Sequence, residues 1–258
     1  MNQKIVICNM SGIYDQQDFY RNTPHSFQDL RSIRGINGYC EDTAAEELKK
    51  SLKNNINNTL YFIDNGNFHY ISKLRCDLLE EDFDLVVLDH HSDMEEPAFG
   101  TILSCGSWIL FTLRENVHLR RILLIGPDAE QLRILEPLLE REVSAGERLT
   151  VLSEEDIKSG AYKAKLDRWI REKAPDSRLF ISVDKDVLGK DVVDTNWDQG
   201  SMSLEQMEEI LKEFSGLPVI GADVCGEAAS GDPSLNAETV EKSSRVNERL
   251  IAIFSGLL

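Results

Sequence analysis

Basic residues are scarce in this chain: 28 Lys and Arg stand against 45 Asp and Glu, a formal net charge of −17. That balance argues against a nucleic acid or an anionic membrane surface as partner, because both require a basic patch. Cysteine is sparse and odd in number, with Cys8, Cys40, Cys76, Cys105 and Cys225 widely spaced and no C-x-x-C pair among them. Neither a zinc ribbon nor a disulfide framework fits, and reduced thiols in a cytoplasmic protein are expected. No apolar run approaches the roughly 20 residues that cross a bilayer. The opening MNQKIVICNM lacks the longer apolar region and small-residue cleavage site of a secretory leader. Proline- or glycine-rich linkers, internal repeats and low-complexity tracts are missing as well.

What is present is a regular alternation. At 258 residues, 41% of them hydrophobic, the chain can bury a substantial core. Short apolar runs at residues 4–8, 59–63, 85–88, 121–125, 150–152, 178–183 and 218–222 read as strands. Between them, residues 42–53, 71–80, 128–141, 164–173, 203–214 and 237–257 read as helices, and Ser153 opens another. Asp42 or Thr43, Asp128 and Ser203 are the expected N-caps. Residues 97–115, with the apolar and small-residue stretch GTILSCGSWILFTL, read as a buried helix. Residues 11–37 are polar with scattered aromatics and read as an irregular surface excursion. The pattern predicts a single α/β domain over residues 1–258, a three-layer α/β/α sandwich on a mostly parallel sheet.

The strand ends carry the chemistry. LVVLDHHSDM runs from four buried-type residues into Asp89, His90, His91 and Asp93. Asp89, His91 and Asp93 alternate, so they share one side while the chain stays extended, and His90 points away from them. RLFISV runs into Asp184 and Asp186 in the same manner, residues 64–70 lead to a lone histidine, His69, and residues 218–222 end at Asp223. In a parallel sheet these ends share one edge, where open α/β sheets hold their ligands. So many carboxylates and imidazoles brought together require counter-charge, and two divalent cations would supply it. Oxygen and nitrogen donors without thiolate favour Mn²⁺, Fe²⁺ or Zn²⁺ over Mg²⁺ or Ca²⁺. Taken singly, His69 reads first as a structural or surface histidine, and DHHSD reads equally as a metal-binding segment or a solvated turn.

Together these segments resemble the ureohydrolase superfamily, which contains arginase, agmatinase and formimidoylglutamase. Asp89–Asp93 (DHHSD) is similar to its D-A-H-x-D segment and Ser182–Asp186 (SVDKD) to its S-x-D-x-D segment. Gly66–Tyr70 (GNFHY) is a degraded form of its G-G-D-H-S turn that keeps the histidine. The resemblance spans about residues 60–230. It implies the arginase-like α/β/α fold and two Mn²⁺ ions, with Fe²⁺ or Zn²⁺ as alternatives. His69, Asp89, Asp93 and Asp184 would hold one ion; Asp89, His91, Asp184 and Asp186 would hold the other. It further implies hydrolysis of a linear C–N bond in a small guanidino or amidine-type molecule by a hydroxide bridging the metals, and commonly a homo-oligomer.

The departures lie around the metals. Cys105 stands where the family has its proton-shuttling histidine, and reads either as a shuttle or as a small core residue. In the last motif, Gly226 occupies the position of the guanidinium-holding glutamate and Glu227 follows it, so Glu227 is the candidate for that role. Met94-Glu95-Glu96-Pro97 replaces the polar asparagine that grips the amino-acid end of arginine. A cationic substrate other than L-arginine is therefore expected. Trp197 either lines the pocket or packs. Two rivals keep the metals: a deacetylase-like amidohydrolase acting on acylated amines, and a metal-binding scaffold without turnover that serves a binding or regulatory role.

Overall fold

The computed structural model describes residues 4–97, 100–141, 143–232 and 235–258. Among the described residues ten strands are formed: β1 (Lys4–Asn9), β2 (His25–Asp29), β3 (Tyr39–Cys40), β4 (Thr59–Phe62), β5 (Phe83–Leu88), β6 (Leu103–Ser104), β7 (Leu119–Ile125), β8 (Leu149–Leu152), β9 (Arg178–Asp184) and β10 (Val219–Cys225). The helices are α1 (Asp42–Leu52), α2 (Ile71–Cys76), α3 (Trp108–Glu115), α4 (Ala129–Arg141), α5 (Val143–Arg148), α6 (Glu154–Ser159), α7 (Tyr162–Arg171), α8 (Leu204–Lys212) and α9 (Ala237–Phe254). Eight strands make one sheet in the order β2-β1-β4-β10-β9-β5-β7-β8, and every pairing in it is parallel.

The sheet separates two apolar cores because its strands are buried on both faces. In β5, Val86 and Leu88 face one core, while Phe83, Leu85 and Val87 face the other, the two-residue period of a strand. Helices α6 to α9 cover the first face through residues such as Ile157, Trp169, Ile210 and Leu250. Helices α1 to α4 cover the second through Leu48, Leu74, Trp108 and Leu138. The result is the three-layer α/β/α sandwich expected from the alternation of elements.

Three local expectations need correction. The excursion over residues 11–37 contains β2, which pairs in parallel with β1 at the sheet edge. Its HSFQD sequence is exposed and half-buried in alternation, so pairing rather than apolar content makes it a strand. The helix expected within residues 97–115 is shorter: Leu103–Ser104 pairs with Tyr39–Cys40 and a single 3₁₀ turn follows. Ser104 and Ser107 bond one another's side chains and backbone there, and only then does α3 begin. Residues 98 and 99 of that stretch lie outside the described residues. Helix α1 starts after Glu41 with no side-chain cap, so neither Asp42 nor Thr43 plays that part. Asp128 and Ser203 do cap their helices.

Candidate metal centre

The carboxyl ends of β4, β9 and β5 lead to one cavity of about 330 Å³, and β10 lies between β4 and β9 with no residue in its wall. The expected residues reach it by different routes. Asp184 ends β9, and its Oδ1 accepts the Asp186 amide at 2.9 Å, which curls the chain so that Asp186 also faces inward. Past β5 the chain is no longer extended. Asp93 adopts a left-handed conformation (φ 46°), one that a short polar side chain tolerates. Asp89, His91 and Asp93 nevertheless all line the cavity, as do His69, Asp184 and Asp186. His69 arrives from a short 3₁₀ turn after β4.

Both imidazoles present Nδ1 to the carboxylates. His69 Nδ1 lies 3.0 Å from Asp93, 3.2 Å from Asp89 and 3.5 Å from Asp184. His91 Nδ1 lies 2.9 Å from Asp186 and 3.7 Å from Asp89. Each ring is anchored at its other nitrogen, His69 Nε2 on Ser182 Oγ and His91 Nε2 on Asp198, both at 2.9 Å. That is how a ligating histidine is held in one orientation. The Trp108 indole donates to Asp93 at 2.5 Å and lies over the His69 ring at 4.8 Å between centroids.

Electrostatics sets Asp89 apart. Burial works against its ionisation, but the adjoining imidazoles of His69 and His91 outweigh it and hold the carboxyl below the usual range. The other three carboxyls shift upward. Burial, then the charge of Asp89, pushes Asp93 up to about 7 and raises Asp184. Burial, then Asp184, raises Asp186 well above the carboxylate range. His69 is buried, which opposes its charge, yet Cys225, Asp89 and Asp93 raise its pKa.

The donor set fits divalent cations. Donor atoms of His69, Asp89 and Asp93, and of Asp89, His91 and Asp186, lie within 4.8 Å of one another, the two groups sharing Asp89. Asp89 Oδ2 is buried and satisfies no hydrogen bond, as a carboxylate oxygen reserved for a cation would be. Because protons compete with cations for these groups, cation affinity is expected to rise with pH. It should weaken by up to about tenfold per pH unit for each displaced proton as pH falls through about 7, the range where Asp93 takes up its proton. Calorimetric titration in buffers of different ionisation enthalpy measures both the affinity and the protons released.

Two expected roles are placed differently. Glu227 does not reach the cavity. It is fully buried, and Lys185, Gln17, Ser243 and Asn247 all bond its carboxylate, at 2.5–2.8 Å. Asp223, expected at a strand end, lies inside β10 and is bonded by Ser72 and Arg75 below the site. Gly226 explains why no glutamate stands in its place. Its φ is +88°, and a Cβ there would sit 2.3 Å from Asp184 Oδ1 and 2.6 Å from the Lys185 amide. Cys105 does line the cavity, but burial pushes its thiol up to about 12, so it remains neutral. Trp197 forms part of the wall beside His91, at 5.9 Å between centroids. His90 stays behind the cluster, its Nε2 3.6 Å from Asp198.

Sequence reasoning passed over Trp108, Asp198 and Cys225 as members of this neighbourhood. Trp108 lay in an apolar stretch, and its indole N–H was the available signal that a buried tryptophan needs an acceptor. For Asp198 and Cys225 the signal was only their type.

Residues 67–251 match the Arginase family. A curated relative from Thermotoga maritima, described as an uncharacterized protein, is 26% identical over 248 residues, covering 96% of this chain and 88% of its own. Among solved structures, proclavaminate amidino hydrolase from Streptomyces clavuligerus superposes with a TM-score of 0.71 at 14% identity. That match covers 100% of this chain and 93% of that one. A formiminoglutamase variant with Mn²⁺ from Trypanosoma cruzi gives 0.67 at 15% identity, over 98% and 92% of the two chains.

Proposed function

Because the chain belongs to the arginase family, we propose that it is a metal-dependent hydrolase cleaving a linear, non-peptide C–N bond of a small guanidino or amidino compound. The observation that carries this reading is the shared-carboxylate cluster: two imidazoles and four carboxylates around one cavity, with Asp89 common to both donor groups. His69, Asp89, Asp93 and Asp184 would hold one cation; Asp89, His91, Asp184 and Asp186 the other. Such a pair of ions, when bound, acidifies water and polarises the carbon under attack. Mn²⁺ suits a carboxylate-rich donor set and is the ion named for the Trypanosoma cruzi neighbour.

The chain's own residues supply the rest. Ser182 and Asp198 keep both imidazoles aimed inward. Among the described residues no lysine or arginine lines the cavity, and Glu95 adds an exposed carboxylate to its wall. A cationic substrate is met there and a carboxylate-bearing one is not. Cys105, held neutral, can donate a hydrogen bond to a bound molecule but is a poor carrier of protons.

The test is release of urea or ammonia from a panel of guanidino and formimino compounds by protein loaded with Mn²⁺. Turnover on a cationic member, lost on chelation and regained on adding the metal, is the expected result. Acetate released from acetylated polyamines instead would move the reading to a deacetylase-like amidohydrolase. Bound metal without turnover on either panel would leave a non-catalytic scaffold.

A further inference from the structure

Cys225 belongs to the cluster by the register of the sheet. It pairs with Asp184 across β10 and β9, the last residues of two parallel neighbours, so both side chains rise on the same face at the carboxyl edge. The thiol is fully buried, and its Sγ lies 3.0 Å from Asp184 Oδ2. That same oxygen lies 3.5 Å from His69 Nδ1. The donor atoms of His69, Asp184 and Cys225 all fall within 4.8 Å of one another, and the separations of 3.0 and 3.5 Å from Asp184 Oδ2 suit bonds of about 2.0–2.3 Å to a common ion. Among the described residues no other cysteine belongs to such a donor group: Cys8, Cys40 and Cys76 share one apolar core with Cys225, but only Cys225 reaches His69 and Asp184, and Cys105 lines the cavity near Asp93.

We propose that Cys225 is a sulfur ligand to one of the two cations, in company with His69 and Asp184. The inference rests on the metal-centre reading above and narrows it. An imidazole, carboxylate and thiolate set is softer than the oxygen and nitrogen set, and it favours Zn²⁺, Fe²⁺ or Co²⁺ over Mn²⁺ at that position. Binding replaces the S–H bond by an S–metal bond, and the thiol proton leaves to the solvent. The closeness of Gly226 to Asp184 serves the same end, since it brings the end of β10 against the end of β9.

The test is titration of the cation-free full chain with Co²⁺. A near-ultraviolet sulfur-to-cobalt charge-transfer band is expected alongside the visible cobalt bands, lost in Cys225→Ser and kept in Cys105→Ser. Competition between Zn²⁺ and Mn²⁺ should shift toward Mn²⁺ by at least about tenfold in Cys225→Ser, the lower end of what a partner of a metal site contributes. X-ray absorption on the zinc-loaded wild-type chain needs no variant and should show a sulfur neighbour at about 2.3 Å. Visible cobalt bands without the charge-transfer band, and only oxygen and nitrogen around zinc, would reduce Cys225 to a hydrogen-bond donor to Asp184. The inference would then fall while the two-cation reading stood. Neither cobalt bands nor retained metal would overturn the metal-centre reading itself, and this inference with it.

Discussion

Replacing Asp89 with Asn is expected to lower bound metal from two ions per chain to one or none. Turnover should fall by three orders of magnitude or more, since the cations supply several kcal/mol of transition-state stabilisation. The change is isosteric, so it tests charge rather than shape. Asp89 is the one carboxyl of the four held below its usual range, and it belongs both to the donor group of His69 with Asp93 and to that of His91 with Asp186. One of its oxygens takes the His91 amide at 2.6 Å and the other has no hydrogen bond. Asparagine can keep the first contact but offers an uncharged group in place of the second. Elemental analysis of the purified variant, with circular dichroism as a check of folding, reads the outcome. Two ions retained per chain with unaltered turnover would remove Asp89 from the bridging position.

The second large effect concerns stability. Glu227→Ala is expected to destabilise the protein by about 3–5 kcal/mol, the penalty for stranding one member of a buried ion pair. For a chain of this size that corresponds to a fall in melting temperature on the order of 10 °C. Lys185 is fully buried and donates to Glu227, Ser243 and Asn247. With the carboxylate gone, its ammonium keeps two neutral partners and no counter-charge. The Lys185→Met change placed on Glu227→Ala should recover part of the loss, because the two residues act as a pair. A thermal or urea melt of the two variants measures this. If Glu227 instead gripped substrate, the single variant would melt like the wild type and show only a raised KM. Lys185 lies between Asp184 and Asp186, so the pair also secures the segment that carries two of the cluster's carboxylates.

The two kinds of residue differ in how far the linear chain reveals them. Asp89, His91, Asp93, Asp184 and Asp186 follow apolar runs, and a parallel sheet sends all such ends to one edge. Strand-end position plus residue type therefore sufficed to gather them, and His69 joined them through the resemblance carried by its turn. Glu227 shows the opposite case. Its place one residue after Gly226 suggested a role in the cavity, yet which way that loop turns depends on Gly226 touching Asp184 and on Lys185 waiting beneath. Neither contact is a property of the segment itself. Strand β2 was missed for a related reason: HSFQD carries no apolar alternation, and only the free edge of β1 makes it extended.

The sequence by itself determined the layered α/β order, the parallel sheet and the residue types that meet at its edge. Burial period and strand-end chemistry are local and survive in one dimension. The tertiary structure decided which groups share an oxygen. The register of β9 against β10 sets Cys225 beside Asp184, α3 brings Trp108 to Asp93, and the loop before α8 brings Asp198 to His91. These are contacts between segments distant in the chain, fixed by packing two cores against one sheet, and no spacing along the chain encodes them.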